Sequence, residues 1–308
     1  MNSSCVLSVV LDCRWTVTGL AEVIVMDILV STGSLPWLPL DKRIRAIAAA
    51  GADGLELLLT PRLLHHDPTA LAQQARQLGV PVRAVHAVLR LRRDCTISEL
   101  QASVRFAQAL PDCTVLVIHP PQPVTQTHRW VQALQAARME TGAPLRIAVE
   151  TPGQHTAQDR PVPYDDGEFF LRFVEEWDLA ITADTAHIAS LGWDLLGFLR
   201  RCLPRLAHVH LSDATDQNFG LALANALLRD HRLPGTGCLP LDTFLRALCQ
   251  STYQGYVTLE LSPIPLFALR LRSTVQRLER ALAAVRRSLD DPRDRAPSSI
   301  PGSTPETN

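Results

Sequence analysis

The sequence predicts a single-domain (β/α)8 barrel, and three observations lead there. Short apolar, β-branched runs alternate with longer amphipathic segments, the layout of a parallel sheet with crossover helices. Eight such units fit between residues 27 and 288, close to the roughly 250 residues of a closed barrel. The first strand is followed by "STGSLPWLP", whose spacing is wrong for the GxGxxG phosphate loop, so a doubly wound open sheet is disfavoured.

Taken in order, the strands are expected at "DILVST" (27–32), "GLELLL" (54–59), "VRAVHA" (82–87), "TVLVIH" (114–119), "LRIAVE" (145–150), "LAITAD" (179–184), "LAHVHLS" (206–212) and "YVTLEL" (256–261). Between them, "PLDKRIRAIAAAG" reads as a helix with Asp41 as its cap and Gly51 as its stop. "ISELQASVRFAQAL" and "THRWVQALQAARMETG" carry apolar residues at helical spacing. "PLDTFLRALCQ" and one long run, "LFALRLRSTVQRLERALAAVRRSL", supply the last two helices.

Outside the barrel, residues 1–26 read as a poorly ordered N-terminal extension. Residues 289–308, rich in Pro, Ser and charge, read as a disordered tail. The N-terminus lacks a basic region ahead of its short apolar patch, so a signal peptide is not expected. No apolar run reaches the length of a membrane span, so no membrane partner is expected. Formal net charge is −1 over 308 residues, so no overall basic field favours nucleic acid. Seven scattered cysteines without a CxxC pair fit reduced thiols and a cytoplasmic protein. Oligomeric state is not legible.

Chemistry in such barrels gathers at the C-terminal ends of the strands. There the sequence places His86, His119, Glu150, Asp184, His210 and Glu260, with His187 just beyond Asp184. Taken singly, such a histidine or acid is more often a satisfied polar residue or a helix cap. Jointly they differ: four of the ten histidines and three carboxylates converge on one mouth. Carboxylates that close repel unless a cation or proton intervenes. A divalent metal held by mixed His and Asp/Glu ligands is the economical reading: Mn, Zn, Co or Mg, with histidine weighing mildly against Mg. His208 and Glu56 share the inward parity one layer deeper and read as supports rather than ligands. The loop "DHRLPGTGCLPLDTF" (230–244) carries His231 over the same mouth. Its two glycines would allow close backbone approach to a ligand and the helix start could favour an anionic group, but on this motif alone an ordinary Gly-Pro turn is the stronger reading.

With these residues in place, "AVETPG", "ADTAHIASLGWDL", "HVHLSDA", "HRLPGTG" and "VTLELSP" resemble, in order, the xylose isomerase-like TIM-barrel superfamily over roughly 27–288. That superfamily includes sugar isomerases and epimerases and the endonuclease IV group of abasic-site nucleases. The resemblance implies that Glu150, Asp184, His210 and Glu260 are a metal quartet. Glu150 and Glu260 would move a proton next to a carbonyl through a metal-stabilised enediolate, and His187 would contact substrate oxygens. By resemblance to the nuclease group, His86, His119, His187 and His231 would serve further metals. Arg229 stands where that group has an aspartate, which implies one or two metals rather than three. "HLSDATDQNFG" offers Gln217 and Asn218 where several epimerases have an arginine, and "VHAVLRL" lacks the nucleases' aromatic pattern.

Three functions follow. The first is a metal-dependent isomerase or epimerase of a small-molecule sugar or sugar phosphate. The second is an endonuclease IV-like zinc phosphodiesterase on abasic DNA, disfavoured by charge. The third is a non-catalytic metabolite-binding barrel, since fold alone does not imply function.

Overall fold

In the computed structural model the described residues are 26–89, 95–122, 124–141, 144–268 and 270–290. The expected extensions lie outside them, except for Met26, which is buried, and 289–290, the end of the last helix. Eight parallel strands close into a barrel in chain order: β1 Ile28–Ser31, β2 Gly54–Leu58, β3 Val82–His86, β4 Val115–Ile118, β5 Arg146–Glu150, β6 Ala180–Asp184, β7 Leu206–Leu211 and β8 Tyr256–Leu259. Each falls inside its predicted run.

The helices are α1 Leu40–Ala49, α2 Pro68–Gln77, α3 Ile97–Gln108, α4 Thr127–Thr141, α5 Gly167–Glu176, α6 Thr185–Ser190, α7 Leu195–Cys202, α8 Ala222–Ala224, α9 Leu241–Cys249, α10 Pro263–Leu266 and α11 Leu271–Asp290. Capping sets several starts. Thr96 and Glu99 form a reciprocal capping box on α3, and Asp67, Asp166, Asp184 and Asp194 accept backbone N–H groups at the starts of α2, α5, α6 and α7. Two expectations change. Asp41 lies inside the first turn of α1 and the cap position is Pro39, which offers no side-chain acceptor; Asp41 instead adds negative charge near the positive helix end. The long helix expected from Leu266 is broken at Phe267, whose backbone is extended and whose ring packs on Trp37. Arg277 donates to the carbonyls of Pro265 and Phe267 freed by that break.

Apolar residues form two bodies. The larger fills the space between strands and helices, and a small one inside the barrel contains Leu29, Ala84, Val115, Val117 and Ala148. Small inward residues leave room for the polar layer above: Glu56, Thr182, His208 and Thr258, all buried. Register then stacks the mouth residues, with Glu150 opposite Thr182, Asp184 opposite His210, and His210 opposite Thr258. Hydroxyls lock the strand ends: Thr151 Oγ1 accepts from Asp184 N, and Thr185 Oγ1 donates to the Ser212 carbonyl. Among the described residues no helix is long and apolar enough to cross a membrane.

Candidate metal centre

All eight sequence-predicted site residues lie at one mouth, and their donor atoms fall into three groups. Glu150, Asp184, His210 and Glu260 form one, His86, His119 and Glu150 a second, and Asp184, His187 and His231 a third. Within each group the potential ligand atoms lie within 4.8 Å of one another, and Glu150 and Asp184 each belong to two.

Hydrogen-bond arithmetic shows what the first group lacks. His210 Nδ1 is 2.8 Å from Glu150 Oε1, 2.7 Å from Glu260 Oε2 and 3.8 Å from Asp184 Oδ2. One ring nitrogen carries at most one proton and cannot satisfy three carboxylates. Glu260 Oε2 is close to His210 yet lacks hydrogen-bond geometry, and Asp184 Oδ2 has no hydrogen-bond partner although fully buried. Asp184 Oδ1 is occupied by the His187 backbone N–H at 2.8 Å, which orients Oδ2 away from its own helix. Buried carboxylate oxygens left this way are costly unless a cation is bound.

The other face of His210 explains its orientation. Nε2 is 2.9 Å from Glu56 Oε2, which also receives His208 Nε2 at 3.0 Å. With Nε2–H donating to Glu56, Nδ1 presents a lone pair to the carboxylate side, the support that metal-binding imidazoles ordinarily have. His208 and Glu56 therefore take the supporting positions expected of them, with Thr258 Oγ1 2.9 Å from His208 Nε2.

His86 repeats the logic. Its Nδ1–H donates to the Ala87 carbonyl at 2.8 Å, so a neutral ring turns a bare Nε2 toward Glu150 Oε2, 3.2 Å away. Two lone pairs facing each other require a proton or a metal between them. Burial alone would lower the His86 pKa, but the Glu150 carboxylate raises it to about 9. Likewise burial opposes charge on His210, while Glu260, Glu56 and Glu150 hold its pKa well above the ordinary value. Burial pushes the Asp184 carboxyl upward, against the pull of His187 and His231. His119 reaches the same Glu150 Oε2 at 2.9 Å from a 48% exposed position. The donor set fits a divalent metal, which Glu150, Asp184, His210 and Glu260 could hold together.

His187 donates its Nδ1–H to the Thr151 carbonyl at 2.9 Å. Gly153 makes that placement feasible: a Cβ there would lie 2.5 Å from His187 Cδ2. His231 completes the third group from a left-handed backbone (φ 51°), strain that a bulky residue adopts only when held. Its carbonyl accepts from Ser262 N at 2.7 Å.

The loop after β7 is an ordinary turn, the stronger of the two readings of its sequence. Backbone N–H groups of Gly235, Gly237 and Leu239 all donate to the buried carboxylate of Asp213, at 3.0, 2.8 and 3.1 Å. Those N–H groups are committed within the protein, so this is an internally capped turn rather than an anion cradle. Arg229 is also committed. It chelates Asp230 at 2.8 and 2.9 Å and donates to the Gln154 carbonyl at 2.7 Å. Sequence reasoning missed His155, whose Nδ1 is 2.9 Å from Asp230 Oδ2; nothing in its loop spacing signals that contact.

A family model described as a xylose isomerase-like TIM barrel matches residues 44–286. The chain belongs to this family. An uncharacterized protein of Mycobacterium tuberculosis is 30% identical over 234 residues, covering 69% of this chain and 80% of that protein. Two solved structures share the fold at lower identity. One is a D-psicose 3-epimerase with D-tagatose from Clostridium cellulolyticum H10, 15% identical with TM-score 0.65, covering 86% of this chain and 99% of that one. The other is an IolI protein with a binding zinc atom, 17% identical with TM-score 0.66, covering 86% and 100%.

Proposed function

We propose that the barrel over 27–288 is a divalent-metal-dependent isomerase or epimerase of a sugar or sugar phosphate, with 1–26 and 289–308 as extensions and the cytoplasm as its compartment. The observation that carries this is the quartet: two buried carboxylates and the partly exposed Glu260 around one histidine nitrogen, with oxygens at Asp184 and Glu260 that lack a hydrogen-bond partner. Family membership supports it, as do the epimerase with D-tagatose and the zinc-binding IolI among its structural relatives.

In this reading Glu150, Asp184, His210 and Glu260 hold the metal; Mn, Zn, Co and Mg are the candidates. The bound cation would acidify the carbon next to the carbonyl and neutralise charge that develops on the substrate oxygens. Glu150 and Glu260 remove and return the proton. Glu260 is the more accessible of the two, its side chain 20% exposed against 2% for Glu150, whose Oε2 is held by His86 and His119. A cavity of about 380 Å³ borders His86 and His119 and is lined by Trp130, Gln122 and Gln126. It offers room and hydrogen-bonding amides for a small polar substrate. His187 lies where it can meet a substrate oxygen.

Two measurements on the untagged protein test this: elemental analysis of wild type and Glu150→Ala, and uptake of solvent deuterium at C2 or C3 across a panel of sugars and sugar phosphates. One equivalent of metal, lost in the variant, with exchange in at least one sugar, is expected. Protein that holds no metal after loading with each candidate ion would sink the reading.

A second reading is favoured by one observation: the groups containing His86 and His119, and His187 and His231, share Glu150 and Asp184 with the quartet. Shared carboxylates suit several clustered zincs and a phosphodiesterase on abasic DNA. Net charge of −1 weighs against a nucleic-acid substrate. Two or three zincs with chelation-sensitive nicking of an abasic duplex would bring it forward. A barrel that loads metal but neither exchanges protons nor nicks would point to metabolite binding without catalysis.

A further inference from the structure

His155 lies on the loop after β5 and is fixed from several directions. Its backbone N–H donates to Asp159 Oδ1 at 3.1 Å, and its carbonyl accepts from Asn225 Nδ2 at 2.6 Å. Asn225 and Arg229 are the two ends of a π-helical turn, a widened helix geometry that recurs at functional positions. The His155 ring nitrogen Nδ1 donates to Asp230 Oδ2 at 2.9 Å. Burial pushes the Asp230 carboxyl up, but His155 and Arg229 together bring it below its usual range, so it remains the acceptor.

A strut alone would not need this arrangement. Arg229 already contacts both Asp230 oxygens and ties the loop through the Gln154 carbonyl, so charge balance and anchoring are supplied without the imidazole. What the contact adds is a defined tautomer. With the proton on Nδ1, the ring turns a lone pair outward at Nε2. Among the described residues that nitrogen has no hydrogen-bond partner. The ring is 29% exposed and meets His187 edge-on at 6.4 Å between centroids, and His187 Nδ1 lies 3.6 Å from Glu150 Oε1.

We propose that His155 is a substrate-binding residue whose Nε2 accepts a hydrogen bond from a hydroxyl of a polyhydroxylated substrate, remote from the carbon that exchanges its proton. This rests on the isomerase or epimerase reading and adds a specificity contact to it. Asp230 is the positioning residue that holds the tautomer.

The test is steady-state kinetics of the Mn²⁺-loaded full chain on whichever sugar of the panel exchanges, with melting temperature and metal content measured alongside. His155→Asn places an amide N–H where Nδ1 donates to Asp230 and removes the outer nitrogen. A strut would survive it; a substrate contact would not. The expected result is a KM raised about tenfold to a hundredfold with kcat within about threefold, the pattern of a lost uniform binding contact. His155→Gln, whose amide oxygen reaches the place of Nε2, should recover most of that KM, including where His155→Asn lowers the melting temperature. An unchanged KM in His155→Asn, or no recovery in His155→Gln, overturns the proposal while wild-type turnover leaves the isomerase reading standing. Wild-type protein that exchanges no sugar of the panel fails earlier, at the isomerase reading, and takes this proposal with it.

Discussion

The two sides of the His210 ring carry the same residue types in opposite proportions. On the inner side one carboxylate, Glu56, meets two imidazoles and stands in a network with Thr258 Oγ1. On the outer side three carboxylates converge on one nitrogen. The inner cluster is short of negative charge, and it too leaves polar atoms unpaired, Glu56 Oε1 and His208 Nδ1. The outer cluster has a surplus that hydrogen bonds cannot absorb, and Asp184 Oδ2 and Glu260 Oε2 are the atoms left over. What separates the two is the ratio of carboxylates to imidazoles: one to two on the inner side, three to one on the outer side, where only a cation or protons can offset the excess.

The largest expected effect follows from breaking the outer surplus. Asp184→Ala removes the oxygen shared by two donor groups, and it should abolish stoichiometric metal and lower proton exchange by about a thousandfold or more. Elemental analysis and deuterium uptake read both. It also removes the α6 cap, worth about 1 kcal/mol, so Asp184→Asn, which retains a capping oxygen, separates metal loss from fold loss. Breaking the inner cluster should cost less. Glu56→Gln keeps a hydrogen-bond acceptor but weakens the grip on the His210 tautomer, and metal affinity should fall about tenfold to a hundredfold. A competition titration against a chelator measures it. Equal losses in the two variants would erase the distinction drawn between the two sides of the ring.

Much of the outer cluster is legible in the sequence, for a physical reason. A closed parallel barrel brings every strand's C-terminal end to one rim, and the two-residue period sets which side chains point inward. Once the eight runs are recognised, Glu150, Asp184, His210 and Glu260 must converge. Residues whose placement depends on loop conformation do not inherit that rule. Gly235 and Gly237 leave a ligand cradle open as an alternative to a turn, because nothing local reveals that Asp213, more than twenty residues earlier, occupies their N–H groups. The His155 contact with Asp230 spans 75 positions and crosses two loops, so no spacing encodes it. Asp41 misled for a smaller reason: Asp is favoured both as a cap and in the first turn, and Pro39 two residues earlier decides which.

Gly153→Ala sharpens the outer side further. The added methyl overlaps the His187 ring, with Cδ2 at 2.5 Å and Nε2 at 2.9 Å. The ring must move, at a strain of about 1–3 kcal/mol. The quartet atoms are untouched, so one equivalent of metal should remain while kcat/KM falls about tenfold. Loss of that equivalent would show that His187 helps hold it.

The smallest expected effect is the pH dependence of the metal-free protein, and its sign is fixed by the same charge surplus. Without a cation, protons balance the outer carboxylates, and His86 carries one of them with its pKa raised to about 9. The unfolded chain releases that proton near 6.5. Because the folded value is the higher one, the stabilisation is fully present below about pH 6.5 and is lost as pH rises through about 9. The chelator-treated protein should therefore melt at progressively lower temperature between pH 7 and 9. The metal-loaded protein should run the other way, because the ion competes with the proton on His210 and, through the Glu150 carboxylate that both would share, with the one on His86, and it binds more tightly once they leave. The gap in melting temperature between loaded and metal-free protein should thus widen with pH, read by paired thermal scans at fixed ionic strength. A gap that stays constant from pH 6.5 to 9 would mean that protons and cation do not share these ligands, and the donor-count argument for the outer cluster would fail with it.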